Sequence, residues 1–251
     1  MKKLAHILFY CLLVLQGVAQ HKEESGVNLP KFYKNKMHFG FSLAYNKTDF
    51  RIHTVKNSAL PDTVIGGVTY GMKTIYTKSD PGFAIGIISD FRLHEYVRLR
   101  FTPNISFASR SLDYTLQNAN RDSVKLYKKS VESTFLIFPL ELKLQSKRLD
   151  NFGAFVIAGG GYTLDLVSKK KPTASAGGAN QLEDAVQLKR DDFFYSAGAG
   201  VDFYLMYFKL GLEVKLLQGT KNLIQPLNNI FTKSIDKVNS RMVIFSVTFE
   251  G

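Results

Sequence analysis

The chain has 251 residues, 45% of them hydrophobic, with Gly 19, Tyr 12, Phe 20, Cys 1 and Trp 0. Mean hydropathy is −0.06, which excludes a bundle of membrane helices but not a β-barrel, whose alternating faces average out. The formal net charge of +12 would suit nucleic acid, but no recognition helix or stacking platform accompanies it, so nucleic acid is excluded as a partner.

Residues 1–19 read as a signal peptide. Lys2 and Lys3 supply the positive end, 4–15 is apolar apart from His6, and Gly17-Val18-Ala19 supplies small residues for cleavage before Gln20. The apolar run is about 15 residues, short of the roughly 20 that a membrane-spanning helix needs. Loss of Lys2 and Lys3 lowers the net charge by two, to +10. Cys11 leaves with the segment and lacks the context of a lipid-modified cysteine. The mature chain therefore has no disulfide and relies on sheet closure and burial. Residues 20–35 are polar and read as a short, mobile lead-in, with the barrel domain over 36–251.

Eight strands follow. The first, 37–46, sets Met37, Phe39, Phe41, Leu43 and Tyr45 on one parity and His38, Gly40, Ser42, Ala44 and Asn46 on the other. The second, 82–91, sends Phe83, Ile85, Ile87 and Phe91 one way. The third, 97–108, alternates Val97, Leu99, Phe101, Ile105 and Phe107 against Arg98, Arg100, Thr102, Asn104 and Ser106. The fourth, 133–145, aligns Leu136, Phe138, Leu140, Leu142 and Leu144 against Glu141 and Lys143. The fifth to eighth, 151–167, 192–205, 207–217 and 241–250, repeat the pattern. The connections alternate: long at 47–81, 111–132, 168–191 and 218–240, short near 93–96, 146–150 and 205–206.

This predicts an all-β fold: an eight-stranded antiparallel transmembrane barrel with four long outside loops and short periplasmic turns, sited in the outer membrane. A soluble lipocalin-like barrel has the same alternation with its faces reversed. Three features favour the membrane version. The polar parity gathers charges of both signs: Arg98, Arg100, Glu141, Lys143, Asp202, Lys209, Glu213 and Lys215. The apolar parity of the third, sixth, seventh and eighth strands carries no charge between its first and last apolar residues. The last strand alternates aromatic and aliphatic residues up to Phe249, near the C-terminus.

The eight charges are expected to form a lumen network, with Arg98 or Arg100 meeting Glu141, Glu213 or Asp202. Pro103 and Pro139 lie within strands, where a missing ladder donor predicts bulges. Gly159, Gly161, Gly198 and Gly200 share the inward parity of neighbouring strands, leaving room for Arg, Tyr or Phe side chains.

No catalytic, cofactor-binding or metal-binding set emerges. The four mature histidines, His21, His38, His53 and His94, are scattered, and HExxH, CxxC, GxSxG and phosphate-loop motifs are missing. No small-molecule substrate is implied. His38, inward and near Ser42, keeps a lipid-modifying barrel enzyme open as an alternative. Lys169-Lys170-Lys171 is the densest basic run, either a solvated loop or a contact to lipopolysaccharide or a protein partner.

Five segments carry a resemblance. They are M-H-F-G-F-S-L-A-Y-N-K-T-D-F-R-I at 37–52, D-P-G-F-A-I-G-I-I-S-D-F-R-L at 80–93 with L-R-F-T-P at 99–103, E-S-T-F-L-I-F-P-L-E-L-K at 132–143, S-K-R-L-D-N-F at 146–152, and D-D-F-F-Y-S-A-G-A-G-V-D-F-Y-L at 191–205 with Y-F-K-L at 207–210. As an ordered set they resemble the PorT/SprT family of small outer-membrane barrels in the type IX secretion and gliding motility machinery of Bacteroidetes. The resemblance implies a non-enzymatic role in protein export, with outer-membrane lipids including lipopolysaccharide and other protein components of a secretion complex as partners. Its motifs single out Glu132, Pro139, Glu141, Lys143, Lys147, Arg148, Asn151, Asp192 and Asp202. A generic structural or adhesive barrel without a secretion role stays open beside it.

Overall fold

The computed structural model describes residues 27–54, 63–65, 68–118, 124–167, 188–225 and 235–251. One antiparallel sheet contains β1 (Met37–Thr54), β2 (Thr63–Ile65), β3 (Val68–Arg92), β4 (Val97–Phe101), β5 (Asn104–Asn118), β6 (Val124–Gln145), β7 (Phe152–Asp165), β8 (Asp191–Tyr204), β9 (Lys209–Gly219) and β10 (Ile235–Glu250). β1 pairs with β10 on one side and β3 on the other, so the sheet closes on itself. β4 and β5 form one stave interrupted at Thr102 and Pro103, and β2 is a short arm on β3. The wall thus has eight staves among the described residues, the number the alternation predicts.

Burial decides between the two kinds of barrel. Ile87 on the apolar parity of β3 is 63% exposed, whereas Arg98 and Lys143 on the polar parities of β4 and β6 are 1% and 0% exposed. Phe39, Phe41 and Leu43 of β1, Leu140 and Leu142 of β6 and Val214 of β9 also face outward. Apolar outside and charged inside is the arrangement a bilayer dictates. Aromatic pairs stack on the outer wall, Phe41 on Phe249 at 4.7 Å and Phe83 on Phe107 at 4.8 Å between ring centroids.

Away from the short turns, the staves invert their polarity. On β1 the outward parity passes from Tyr45 to Lys47, Arg51 and His53, while the inward parity passes from Asn46 and Thr48 to buried Phe50. On β5 the inward parity passes from Ser106 to Leu112, Tyr114 and Leu116, all buried. These side chains join Val238 and Ile235 of β10 and Leu223 in an apolar core. This crown is built from two layers. One is the upper β3, β5 and β6. The other is the upper β1 and β10, extended by the Leu223 N–H to Val238 carbonyl bond and the Leu188–Ile224 bridge.

The crown corrects the predicted loops. Much of 47–81 is strand, in β1 up to Thr54, in β2, and in β3 from Val68. Much of 111–132 is the β5–β6 hairpin, and β10 begins at Ile235 rather than at 241. A scan for one continuous apolar parity ends each strand where the apolar residues change sides.

Pro103 and Pro139 do not create bulges. Phe101 lies opposite Ser89 and Leu140, and Asn104 lies opposite Gly86 and Ile137, so no residue is inserted across the interruption. The carbonyls still accept, Pro103 from the Ile87 N–H at 3.0 Å and Pro139 from the Thr102 N–H at 3.5 Å. Each proline costs one donor and the flanking ladder holds the register. Register shifts fall instead in β3 against β5, between Met72 and Thr74 and between Ser79 and Phe83, beside Pro81, and in β1 against β10 between His53 and Thr54. The inward glycines do admit large neighbours: a Cβ on Gly200 would sit 2.4 Å from the Phe155 ring, and one on Gly161 would sit 2.6 Å from the Phe194 ring.

Candidate functional site

The lumen is filled at three levels. Nearest the short turns lies a buried ionic cluster. Arg98 Nε meets Asp90 Oδ1 at 2.6 Å, and Arg100 Nη2 meets Asp90 Oδ2 at 2.7 Å and Glu250 Oε1 at 2.6 Å. Lys209 Nζ reaches Glu250 at 2.7 Å and Asp202 at 3.7 Å, and Lys143 Nζ reaches Asp202 at 2.7 Å. Arg100 Nη1 links to Glu213 at 3.5 Å, and Lys215 Nζ bridges Glu213 at 2.9 Å and Glu141 at 2.7 Å.

Arg98, Arg100, Lys143, Lys209 and Lys215 therefore balance Asp90, Glu141, Asp202, Glu213 and Glu250, five against five among the described residues. Neutrality matters because an unpaired ion in a dry lumen costs several kcal/mol. Phe155 backs the cluster, with Lys143 Nζ 3.7 Å from its ring centroid.

All eight charged residues singled out from the sequence lie in this cluster. The sequence reading missed two members that occupy its centre, Asp90 and Glu250. Arg100 meets Glu213 as expected, but the partner shared by Arg98 and Arg100 is Asp90. The missing signal was parity: Asp90 shares a face with Ala84, Gly86 and Ile88, and Glu250 shares one with Ser246 and Thr248.

Below the cluster, the chain before β1 closes the mouth. Residues 27–35, read as part of a mobile lead-in, are docked, with Phe32–Lys34 in a single 3-10 turn. Phe32 is 7% exposed and stacks on His38, with centroids 3.6 Å apart, its edge toward Tyr204. Lys209 Nζ lies 4.9 Å from its ring centroid. Both His38 nitrogens are engaged, Nε2 with the Phe32 carbonyl at 2.8 Å and Nδ1 with the Gly251 carbonyl at 3.1 Å.

Arg148, in the β6–β7 turn, clamps the lead-in. Its guanidinium donates to the Asn28 carbonyl, to the Leu29 carbonyl at 3.4 Å and to Asn151 Oδ1 at 2.7 Å, and it lies 3.9 Å from the Tyr204 ring centroid. Asn151 Oδ1 also accepts the Asn28 N–H at 2.9 Å. Leu29 is held at φ 49, a left-handed conformation that costs a non-glycine residue about 1–2 kcal/mol.

Above the cluster, Phe135, Ile137, Phe194, Leu217, Met242 and Ile244 form an apolar layer. Arg110 crosses it between the Phe50 and Phe135 rings, at 4.2 and 4.8 Å from their centroids, and donates to Ser133 at 3.0 Å and Ser240 at 3.3 Å. A cavity beside Arg110 and another beside Arg100 measure about 30 Å³ each, room for one or two waters.

At the outer lip of β8, above the apolar band that starts at Phe193, burial pushes the Asp192 carboxyl above its ordinary value. Its Oδ1 accepts the Lys221 N–H at 2.9 Å, and its Oδ2 has no hydrogen-bond partner among the described residues. Among the described residues, no group of three His, Cys, Asp or Glu side chains converges to hold a metal ion. Lys169, Lys170 and Lys171, like residues 1–26, lie outside the described residues.

Fold, outward apolar wall and neutral, filled lumen together define a small outer-membrane β-barrel. The comparison with family models gives the same class. The chain belongs to the family of the outer membrane protein beta-barrel domain, whose model matches residues 18–225. Solved structures with a similar fold include Neisserial surface protein A (12% identity, 85% of this chain and 96% of that one, TM-score 0.44). Ail, the attachment invasion locus protein of Yersinia pestis, in complex with the heparin analogue sucrose octasulfate, is similar too (11%, 86% and 100%, TM-score 0.39). So is OprG from Pseudomonas aeruginosa (10%, 84% and 94%, TM-score 0.38). A comparison with curated protein sequences finds no match.

Proposed function

We propose that this protein is a non-enzymatic component or assembly factor of type IX protein export that acts by contact. The observation that carries the contact mechanism is the filled lumen. Phe32, the ionic cluster and the apolar layer occupy successive levels, which leaves the crown, the outer wall and the turn end as working surfaces. Eight staves enclose only enough space for such filling. The export assignment itself rests on the ordered likeness at 132–143, 146–152 and 191–205. Its partners on this reading are protein components of the secretion complex, with outer-membrane lipids, lipopolysaccharide included, around the wall. Lys169, Lys170 and Lys171 offer a further basic contact.

The test is deletion of the gene in its own host, with cell fractions probed for proteins carrying type IX C-terminal signals. Cargo held in the periplasm, and released again by the gene in trans, is the expected result. Normal export would sink the assignment and leave a generic structural or adhesive barrel. A lipid-modifying enzyme is the weaker reading, because both nitrogens of His38 are already bonded and its ring lies under Phe32. His38→Ala is expected to leave membrane lipid composition unchanged.

A further inference from the structure

We infer that the outer wall of β1 and β10 binds a phosphorylated, multiply acylated lipid of the outer leaflet, the lipid A part of lipopolysaccharide. Two features of the wall meet there: a cluster of unpaired cations and, directly beneath it, an apolar hollow.

The cations follow from register. Directly opposed residues of an antiparallel pair share a face. Lys47 lies opposite Val243, Asp49 opposite Arg241 and Arg51 opposite Asn239. Arg241 is therefore the diagonal neighbour of both Lys47 and Arg51, about 7–8 Å from each at the backbone. All three are exposed. Among the described residues, none of the three makes an ion pair or a side-chain hydrogen bond. Asp49 sits among them, yet its Oδ1 accepts the Phe50 N–H at 2.7 Å and no ion pair joins it to Arg241. Three cations against one carboxylate leave the cluster at +2.

Their level matters. Lys47 is the next outward residue after Tyr45, and Arg241 the next after Val243, so the cluster begins where the apolar band ends. Lipid phosphates lie at that level, and long basic side chains reach them while their stems stay on the wall. Guanidinium and ammonium groups make charge-assisted hydrogen bonds to phosphate oxygens. Farther from the band, Asp236 and Lys237 carry opposite charges.

The hollow lies below. It is open to the bilayer, measures about 800 Å³ and crosses five neighbouring staves, from Phe83 and Ile85 on β3 to Ala199 and Val201 on β8. Tyr45 and Phe245, with ring centroids 6.3 Å apart, bound it on the cation side. Four of the five inward residues behind it, Ala44, Ala84, Gly200 and Ser246, are small and leave the wall room to draw toward the lumen. Its size falls within the roughly 300–1,000 Å³ of ligand pockets, enough for acyl chains.

Charge and hollow together select the occupant. An uncharged lipid would use only the hollow, and a free phosphate only the cations. An anionic lipid uses both. The crown is the side of the long connections, hence the outer face, where a phosphorylated headgroup carrying several acyl chains is the lipopolysaccharide pattern.

This inference gives a place to the lipid contact named above; it rests on the outer-membrane siting and not on the export role. The full barrel in detergent is titrated with lipid A, with lipid A stripped of its phosphate and with phosphatidylglycerol, and bound lipid is counted by native mass spectrometry. Lipid A is expected to bind one per barrel, and either of the other lipids about tenfold more weakly or worse. K47E/R51E/R241E should lose lipid A by a similar factor, and Ala199→Phe, which fills the hollow, should weaken it. Both should keep the heat-dependent gel shift of a folded barrel; should the triple variant fail to fold, K47Q/R241Q is read in the same way.

Equal binding of phosphatidylglycerol would reduce the cluster to a general anionic belt, and equal binding of the stripped lipid would leave the cations without a role. Either overturns the inference. Unchanged lipid A binding in the charge or hollow variants overturns it too, and loss of export in those same charge variants would make the cluster a protein contact instead. Lipid A binding with normal export on gene deletion would leave the lipid contact standing and sink the export reading. Failed export with no lipid A bound would do the reverse.

Discussion

β1 belongs to two molecules in succession. Between Met37 and Tyr45 it hides polar side chains and shows apolar ones to the bilayer, and between Phe50 and His53 it does the opposite. The lower lumen is organised by ten paired charges and the crown by an apolar core. The reversal follows from what lies outside the wall. Lipid rewards outward apolar side chains, so whatever polarity the chain must carry collects in the lumen. Water outside the crown restores the ordinary hydrophobic drive, and Leu112, Tyr114 and Val238 go in. One wall can do both because parity, not backbone geometry, sets the faces.

The sharpest way to break this comparison is Asp90→Ala, which removes the shared partner of Arg98 and Arg100. If the lower lumen is as dry as the packing indicates, the barrel loses about 3–5 kcal/mol. The chain contains Trp 0, so unfolding in urea is followed by circular dichroism and by the heat-dependent gel shift of the folded barrel. An unchanged midpoint would mean that water reaches the cluster and screens the two arginines.

Leu112→Ala addresses the other half. Leu112 is 0% exposed at the centre of the crown, and truncating it is expected to cost about 2–4 kcal/mol there. Exchange of crown amides in β5 should quicken while the barrel's gel shift stays as it was. Loss of both together would show that crown and barrel form one cooperative unit.

The smallest effect is expected at the seam between the regions. Burial raises the Asp192 carboxyl above its ordinary value in the folded chain. The folded state therefore holds that proton more tightly than the unfolded one. Its favourable contribution is present below the ordinary carboxylate range and is lost as pH rises through the raised value. Asp192→Asn should flatten that part of the stability profile and make the neutral-pH protein slightly more stable. A pH profile identical to that of the parent would show that Lys221 already compensates the charge.

Much of the membrane-level barrel was legible because a bilayer enforces period two over the length of each stave. Ile85 and Ile87, or Leu140 and Leu142, mark one face of a strand. The crown was not, since its apolar residues sit on the parity that the membrane segments had marked as polar. The prolines misled for a different reason: a missing donor signals an edge in an open sheet, but here the neighbouring ladders hold the register. Of the candidate site, the eight charges were visible. Asp90 and Glu250 were not singled out, although each continues an inward face. Nothing in the polar stretch before β1 marked Phe32 for burial, because its pocket is assembled from His38, Tyr204 and the β6–β7 turn, far apart in sequence.

Glu250 is the last residue of β10, and it answers Arg100 on β4 and Lys209 on β9. A wall that zipped shut one stave early, or with β10 slid along β1, would leave Arg100 and Lys209 each short of one carboxylate. Glu250 and Gly251 thus serve as a checksum on closure. Gly251 completes it, its N–H bonded to the Phe39 carbonyl at 3.1 Å and its own carbonyl meeting His38.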